Sequence, residues 1–407
     1  MNNAPTFYGW RIVWACLFIA FIAWSFALYG PSVYIYALNE KTGWSVGLIS
    51  MALTFSFLIN AFSIGFVGSI IGRHGPQVIM AVGAVLMALG IAAIGQITRP
   101  WQAFIAFPLM GLGWSCLSTI AISASVAPWF ERYQGKAISI ALLGASLGGM
   151  LGIPITLMLV SGLGFSLAMA TIAALVVLGV VPIALLVLRR RPQDIGLEPD
   201  GQPSDGAHVQ SANRHWTRAQ ALQTFALRST IVTFGIALMV QLGFLSHQVN
   251  LLQTFVTPTM TAMIVLASGA LAFLGRVLLA RVADRLNIRW IASAVLVLSA
   301  IGLIVTATAN TAVPLIIGTL LFGFNVGNLT TLPALIVRRE FGALSFGKVF
   351  GITGTFMQLI SALGPAIFGL MHDQSGSYSL AIGLAAVLML TGAILIVAGR
   401  KHPPTPA

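Results

Sequence analysis

The sequence predicts an all-α membrane protein: twelve transmembrane helices in two six-helix bundles. Three observations carry this expectation. The chain of 407 residues is 58% apolar and only 7% charged, whereas soluble domains carry roughly a quarter charged residues. It contains twelve continuous apolar stretches, each near the length of about 20 residues that a membrane helix needs. Landmarks of the first half recur in the second at one offset, 212 residues. The stretches are unbroken, unlike the short alternating segments of a membrane β-barrel. The net charge of +12, from 21 Lys+Arg against 9 Asp+Glu, would fit a nucleic-acid partner. Such a partner needs a broad polar face in water, which this chain cannot build.

The elements follow in order. The first span, residues 10–38, lacks a small-residue cleavage site and reads as a retained helix, not a signal peptide. Spans over 45–71, 77–97, 102–128, 136–160 and 164–188 complete the first bundle, residues 1–188. Residues 189–228 are rich in Pro, Gly, Asp, Arg and Ser and read as a cytoplasmic linker. Within it, 216–225 fits a short surface helix whose basic residues rest on the cytoplasmic leaflet. Spans over 229–255, 257–280, 290–309, 313–337, 347–371 and 379–399 form the second bundle, residues 229–407, which ends in a short tail. Gly144, Gly148 and Gly152, four residues apart in the fifth span, predict close helix packing. Cys16 and Cys116 lie inside apolar runs and are expected as free thiols.

Basic residues orient the chain. With both termini cytoplasmic, eighteen of the 21 Lys and Arg fall on the cytoplasmic side, and Lys41 and Arg99 fall outside. The remaining one, Arg276, lies within the eighth span. No acidic residue falls inside a predicted span. The expectation is a multi-pass protein of the cell (cytoplasmic or inner) membrane, acting as a monomer.

At the offset of 212, Arg73 meets Arg285, Gly111 meets Gly323, Gly135-Lys136 meets Gly347-Lys348 and Gly152 meets Gly364. An even number of helices per half makes the halves parallel repeats, which places a substrate site near mid-membrane between them.

With these features the chain resembles the major facilitator superfamily over essentially its whole length. The superfamily's 2–3 loop signature, Gly-x-x-x-Asp-Arg-x-Gly-x-Arg/Lys, is recognisable twice. Gly68-Ser-Ile-Ile-Gly72-Arg73-His74-Gly75-Pro76-Gln77 has Gly in place of the Asp. Ala280-Arg-Val-Ala-Asp284-Arg285-Leu-Asn287-Ile-Arg289 keeps the Asp and loses the glycines. The resemblance implies two bundles that rock between inward-open and outward-open states. It also implies a cytoplasmic latch involving Asp284, Arg285 and Arg73, to which Arg132 of the 4–5 loop is added. Plain retention of positive charge inside is the alternative role for these loops.

A finer resemblance rests on Phe7-Tyr8-Gly9-Trp10, Tyr29-Gly30 and Gly43-Trp44-Ser45, on the Ala127–Ala137 loop, and on Gly275-Arg276 eight residues before Asp284. These are similar to the monocarboxylate transporter and oxalate/formate antiporter branch. There the helix 8 arginine binds the substrate carboxylate, and Arg276 matches it. The branch's further charges are absent: Ala272 stands where eukaryotic monocarboxylate transporters carry an acid, and Met357-Gln358 where oxalate-type antiporters carry a second cation. The fifth span, with Gly148-Gly149 and Gly152-Ile-Pro154, also departs from the antiporter signature.

Arg276 carries the functional expectation on physical grounds too. An arginine at a helix centre costs roughly 2.5–3.5 kcal/mol on insertion scales. It lies about 12 Å from Asp284 at the membrane edge, too deep for comfortable snorkelling. Its planar fork fits a carboxylate with two parallel hydrogen bonds; a structural tie to backbone carbonyls is the alternative. Asn60, Ser146, Gln241, Asn325, Asn328 and Gln358 fall at about 15–20 Å from the nearest cytoplasmic basic residue. They are candidates to hydrogen-bond the substrate, or else interhelical ties. Tyr29 and Trp114 are candidates to close the cavity outward. His247, alone among the histidines in lying within a span, is the candidate proton site, or a histidine satisfied by water or a tyrosine.

The reading is a secondary carrier of small organic monocarboxylates, lactate- or pyruvate-like. It is proton-coupled, with the small carboxylate, protons and the bilayer as partners. Exchange of other organic anions, such as oxalate/formate or aromatic acids, and a non-transporting membrane sensor are the alternatives. No metal cluster, nucleophile elbow or phosphate loop suggests an enzyme, a cofactor or a metal.

Overall fold

The computed structural model describes residues 7–188, 192, 199, 216–283 and 285–399. Among the described residues, twelve helices are long and apolar enough to cross a membrane. The first six are α1 (Tyr8–Tyr29), α2 (Val46–His74), α3 (Pro76–Gly95), α4 (Pro100–Trp129), α5 (Gln134–Leu163) and α6 (Phe165–Leu186). The second six are α7 (Phe225–Gln253), α8 (Pro258–Val282), α9 (Ile288–Ala307), α10 (Ala312–Phe341), α11 (Leu344–Ser375) and α12 (Ser379–Ala398). No strand occurs among the described residues. The chain divides into two compact units, one of Met1–Thr42 with Phe55–Val209, the other of Gly43–Thr54 with Gln210–Ala407.

In lipid, helices gain no hydrophobic energy by meeting, so association rests on close van der Waals approach across small residues. In the first unit, α5 lies on α1 along its glycine series. A Cβ at Gly148 would stand 2.9 Å from Ser25 N, one at Gly152 2.8 Å from Ser25 Cα, and one at Gly144 would strike Leu17 O. At that crossing α1 widens into a π-turn over Ser25–Tyr29, closed by Gly30 N donating to Ser25 O at 2.7 Å. The next residue, Pro31, has no N–H to continue the ladder, and helix resumes over Pro31–Thr42.

In the second unit the corresponding contact joins α11 to α7, where a Cβ on Gly364 would strike Met239 O. The repeat extends to individual contacts. A Cβ on Gly111 of α4 would meet Ser56 Oγ of α2, and one on Gly323 of α10 would meet Ser268 Oγ of α8. A Cβ on Gly90 of α3 would meet Met110 N, and would stand 2.9 Å from Ala106 O, in α4. A Cβ on Gly302 of α9 would stand 2.9 Å from Phe322 N and 3.0 Å from Gly318 O of α10. Each partner is displaced by the same 212 residues. The turns before α6 and α12 repeat as well: Gly164 and Gly376 have φ of 76° and 69°, a region open to glycine at no steric cost.

The end of the linker forms the short surface helix expected of it, with Trp216 and Ala221 turned inward. A short helix, Arg218–Gln223, is capped by Thr217, and a side-chain–backbone pair with Gln220 completes the cap. Trp216 before it is buried among Leu227, Ile231, Val337, Phe341 and Val349. Its ring lies edge-on to Phe341 at 5.2 Å, and its backbone N–H donates to Ser345 Oγ at 2.8 Å. A large aromatic within reach of an apolar cluster gains more by burial than by resting on a leaflet.

Candidate functional site

Arg276 lies in α8, six residues from its end at Val282, half-buried on the side facing α10. The two helices approach closely because Gly275 packs against Phe324 O and Gly323 against Ser268. The arginine side chain crosses Gly327 of α10, where a Cβ would stand 2.6 Å from its Nε. One turn further along α10, Thr330 Oγ1 accepts a hydrogen bond from Arg276 Nη2 at 3.4 Å. Asn328 shares this crossing: a Cβ on Gly275 would stand 3.2 Å from its Nδ2. Asn325 and Asn328 are buried, and the Oδ1 of each makes no hydrogen bond. Asn325 Nδ2 is turned back to Leu321 O at 3.3 Å. Gln241 of α7 is also buried, with its Oε1 unsatisfied. Buried amide oxygens without donors are uncommon in folded proteins. Gln358 of α11 is half-buried.

The first unit holds the remaining candidates. Asn60 is buried and donates to Gly111 O at 3.4 Å, a tie between α2 and α4. Tyr29 ends the π-turn with its ring against Gly149 of α5. Ser146 is half-buried on α5. Trp114 packs edge-on against Trp24 at 5.9 Å and Phe57 at 6.0 Å. Cys16 and Cys116 are free thiols.

His247 of α7 is held on both ring nitrogens. Nδ1 faces Tyr378 OH at 3.2 Å, Nε2 faces Pro365 O at 3.0 Å and Ser50 Oγ at 3.3 Å, and the ring stacks over Phe368. This is the tyrosine-satisfied arrangement. Close by, Asp373 Oδ2 accepts the N–H of Gly47 at 2.9 Å, and His372 Nδ1 lies 3.7 Å from Asp373 Oδ1.

Of the latch candidates, Arg73, Arg132 and Arg285 are exposed, Arg132 over the ring of Tyr133. Asp284 lies outside the described residues. A charged tie that the structure displays is Arg289–Glu340. Arg289 is 2% exposed. Its Nε and Nη2 donate to the two Glu340 oxygens at 2.6 and 2.8 Å. Its Nη1 reaches Ser229 Oγ and Ile396 O, and its Nη2 also reaches Ala226 O. Four helices, α7, α9, α10 and α12, meet at this one guanidinium. This corrects two expectations: Arg289 is no loop charge, and the last turn of α10 carries an acid. The available signal was the end of the loop signature at Arg289, which runs directly into an apolar helix.

The fold and the site together define a polytopic membrane carrier built from two repeated six-helix units. The model of the Major Facilitator Superfamily matches residues 13–248 and 219–407. The chain belongs to that superfamily, and it is a transporter. It is 26% identical over 378 residues to the aspyridones efflux protein of Emericella nidulans, covering 91% of this chain and 72% of that one. It is 23% identical over 342 residues to monocarboxylate transporter 13 of Bos taurus, covering 80% of this chain and 74% of that one. It shares its fold with the crystal structure of a bacterial homolog of the human lysosomal transporter Spinster in its inward-facing, occupied conformation. There the TM-score is 0.72 at 13% identity, over 98% of this chain and 96% of that one.

Proposed function

We propose that the chain is a secondary active transporter of small organic monocarboxylates, lactate- or pyruvate-like, working by alternating access and coupled to protons. The observation that carries this reading is Arg276: a guanidinium six residues inside the end of a membrane helix, half-buried at a glycine-lined helix crossing. Keeping such a charge in a spanning helix is costly, and intramembrane charges mark substrate pathways. The planar fork matches a carboxylate, and a single cation suits a monoanion better than a dicarboxylate. The similarity to monocarboxylate transporter 13 supports the same substrate class. Asn325, Asn328 and Gln241 supply neutral groups in the same unit, and the proton travels with the substrate. The basic residues orient both termini to the cytoplasm of the cell membrane, and the carrier acts as a monomer.

The test is uptake into proteoliposomes of radiolabelled lactate, pyruvate and benzoate under a pH gradient, after a thermal-shift screen against these acids, acetate and oxalate. Arg276→Ala and Arg276→Lys are expected to lose carboxylate uptake. Retained uptake in Arg276→Ala overturns the assignment, and uptake indifferent to the gradient overturns the coupling.

A second reading is favoured by the similarity to the aspyridones efflux protein, which covers more of the chain at higher identity. On that reading the carrier exports larger organic metabolites. Stabilisation by bulky aromatic acids, with none by lactate or pyruvate, would select it.

A further inference from the structure

We propose that Gly327 is a positioning residue for the Arg276 guanidinium, with Thr330 as its partner on the same helix. The proposal deepens the carrier reading above and rests on it. Arginine is a long, flexible side chain, and binding a planar anion with two parallel bonds requires its fork to point one way. Two features of α10 set that direction. At Gly327 the absence of a side chain opens the lane along which Arg276 runs over α10. A Cβ there would stand 2.6 Å from Nε and 2.7 Å from Cγ, closer than real Cβ contacts, so the arginine would have to leave its present course. At Thr330 the hydroxyl oxygen accepts from Nη2 at 3.4 Å while its own hydrogen is given to Gly327 O at 2.8 Å. That second bond fixes the rotor, so the threonine's lone pairs face the guanidinium. One glycine therefore provides both the space for the arginine and the carbonyl that orients its acceptor.

Helix packing alone does not account for this glycine. Gly323, one turn earlier on α10, has Ser268 as its nearest neighbour across the crossing, whereas Gly327 has Arg276 itself. Gly327 also approaches Ala272 O, at 2.7 Å for a Cβ, so its replacement has a packing effect too. A comparison of the two glycines separates packing from positioning.

The experiment measures KM and Vmax for labelled lactate and benzoate in proteoliposomes for wild type, Gly327→Ala, Gly323→Ala, Thr330→Val and Thr330→Ser. Misplacing a binding group by ~1 Å costs up to about 100-fold, so Gly327→Ala is expected to raise KM at least about tenfold. Thr330→Val raises it as well, Thr330→Ser behaves as wild type, and Gly323→Ala, which disturbs the crossing but not the arginine's course, raises KM less than Gly327→Ala does. Wild-type KM in Gly327→Ala, or an equal rise in Gly323→Ala, overturns the proposal. If Gly327→Ala does not accumulate, Thr330→Val against Thr330→Ser decides. A ligand-free measurement separates this proposal from the carrier reading: the rate at which phenylglyoxal modifies Arg276, read by mass spectrometry with exposed Arg285 as reference. A rate altered by Thr330→Val but not by Thr330→Ser, and altered more by Gly327→Ala than by Gly323→Ala, supports positioning, even if wild type takes up no carboxylate and the carrier reading fails. An unaltered rate overturns positioning, even if carboxylate uptake is intact.

Discussion

Arg289 and Glu340 form a two-point ion pair, with Nε–Oε1 at 2.6 Å and Nη2–Oε2 at 2.8 Å, and the arginine is all but sealed from solvent. The guanidinium spends its other hydrogens on Ser229, Ala226 and Ile396. A buried charge whose donors are all used is held by geometry, and removing one partner leaves the other desolvated and uncompensated. Arg289→Ala and Glu340→Ala are each expected to cost about 3–5 kcal/mol, read as a fall in thermal unfolding temperature in detergent. The double variant Arg289→Met with Glu340→Leu should recover much of that loss. If the double variant is worse than either single one, the pair is a net stabiliser rather than a mutually dependent tie.

The glycine crossings give a sharper contrast. Gly144 faces the Leu17 carbonyl across the α1–α5 contact, whereas Gly383 of α12 has open space where a Cβ would stand. A side chain at the first site must push two backbones apart; at the second it only adds helix propensity, about 1 kcal/mol for Gly to Ala. Gly144→Val is expected to abolish monodisperse protein in size-exclusion chromatography, while Gly383→Ala keeps or slightly raises the unfolding temperature. Equal behaviour of the two would mean that the crossing yields more readily than its distances imply.

How much of this was legible in advance follows from what each signal depends on. The twelve spans were readable because hydropathy alone marks a membrane helix. Their ends were not: α10 runs to Phe341 and carries Glu340 in its last turn, beyond the hydrocarbon-length stretch that hydropathy marks. Arg276 stood out because it was the one basic residue that topology left unexplained. Gly327 and Thr330 did not, since they meet it from a helix more than fifty residues away in sequence. The depth of Asn60 is legible in the sequence, but depth does not reveal that its amide is turned to Gly111. The repeat offset was visible in a few glycines, and only the contacts disclosed that Ser56 and Ser268 belong to the same pattern.

Trp216 fastens the start of the second unit to the ends of α10 and α11. Its ring lies against Phe341, and its backbone N–H reaches Ser345. Truncating a buried aromatic of this size costs about 3–5 kcal/mol when the cavity does not collapse. Trp216→Ala is expected to raise hydrogen exchange across Arg218–Gln223 strongly while leaving α8 and α12 at wild-type protection. Unchanged exchange in the short helix would show that the Thr217 cap, rather than the indole, holds it.

His247 offers the last test, because its surroundings argue against a mobile proton. Both ring nitrogens are engaged, one with Tyr378 OH and the other with Pro365 O and Ser50 Oγ, and Phe368 covers a face of the ring. A proton carrier in the transport cycle must gain and lose its proton at every turnover. Here a change of charge would force the Tyr378 hydroxyl to turn from donor to acceptor and would place a cation in a buried site, which is costly. On the carrier reading, in which the proton travels with the substrate, His247→Gln is expected to lower the unfolding temperature and leave the pH-gradient dependence of carboxylate uptake intact. The measurement is uptake at a fixed inner pH over a series of outer values. A His247→Gln protein that still accumulates and exchanges carboxylate but ignores the gradient would assign the proton to this histidine instead.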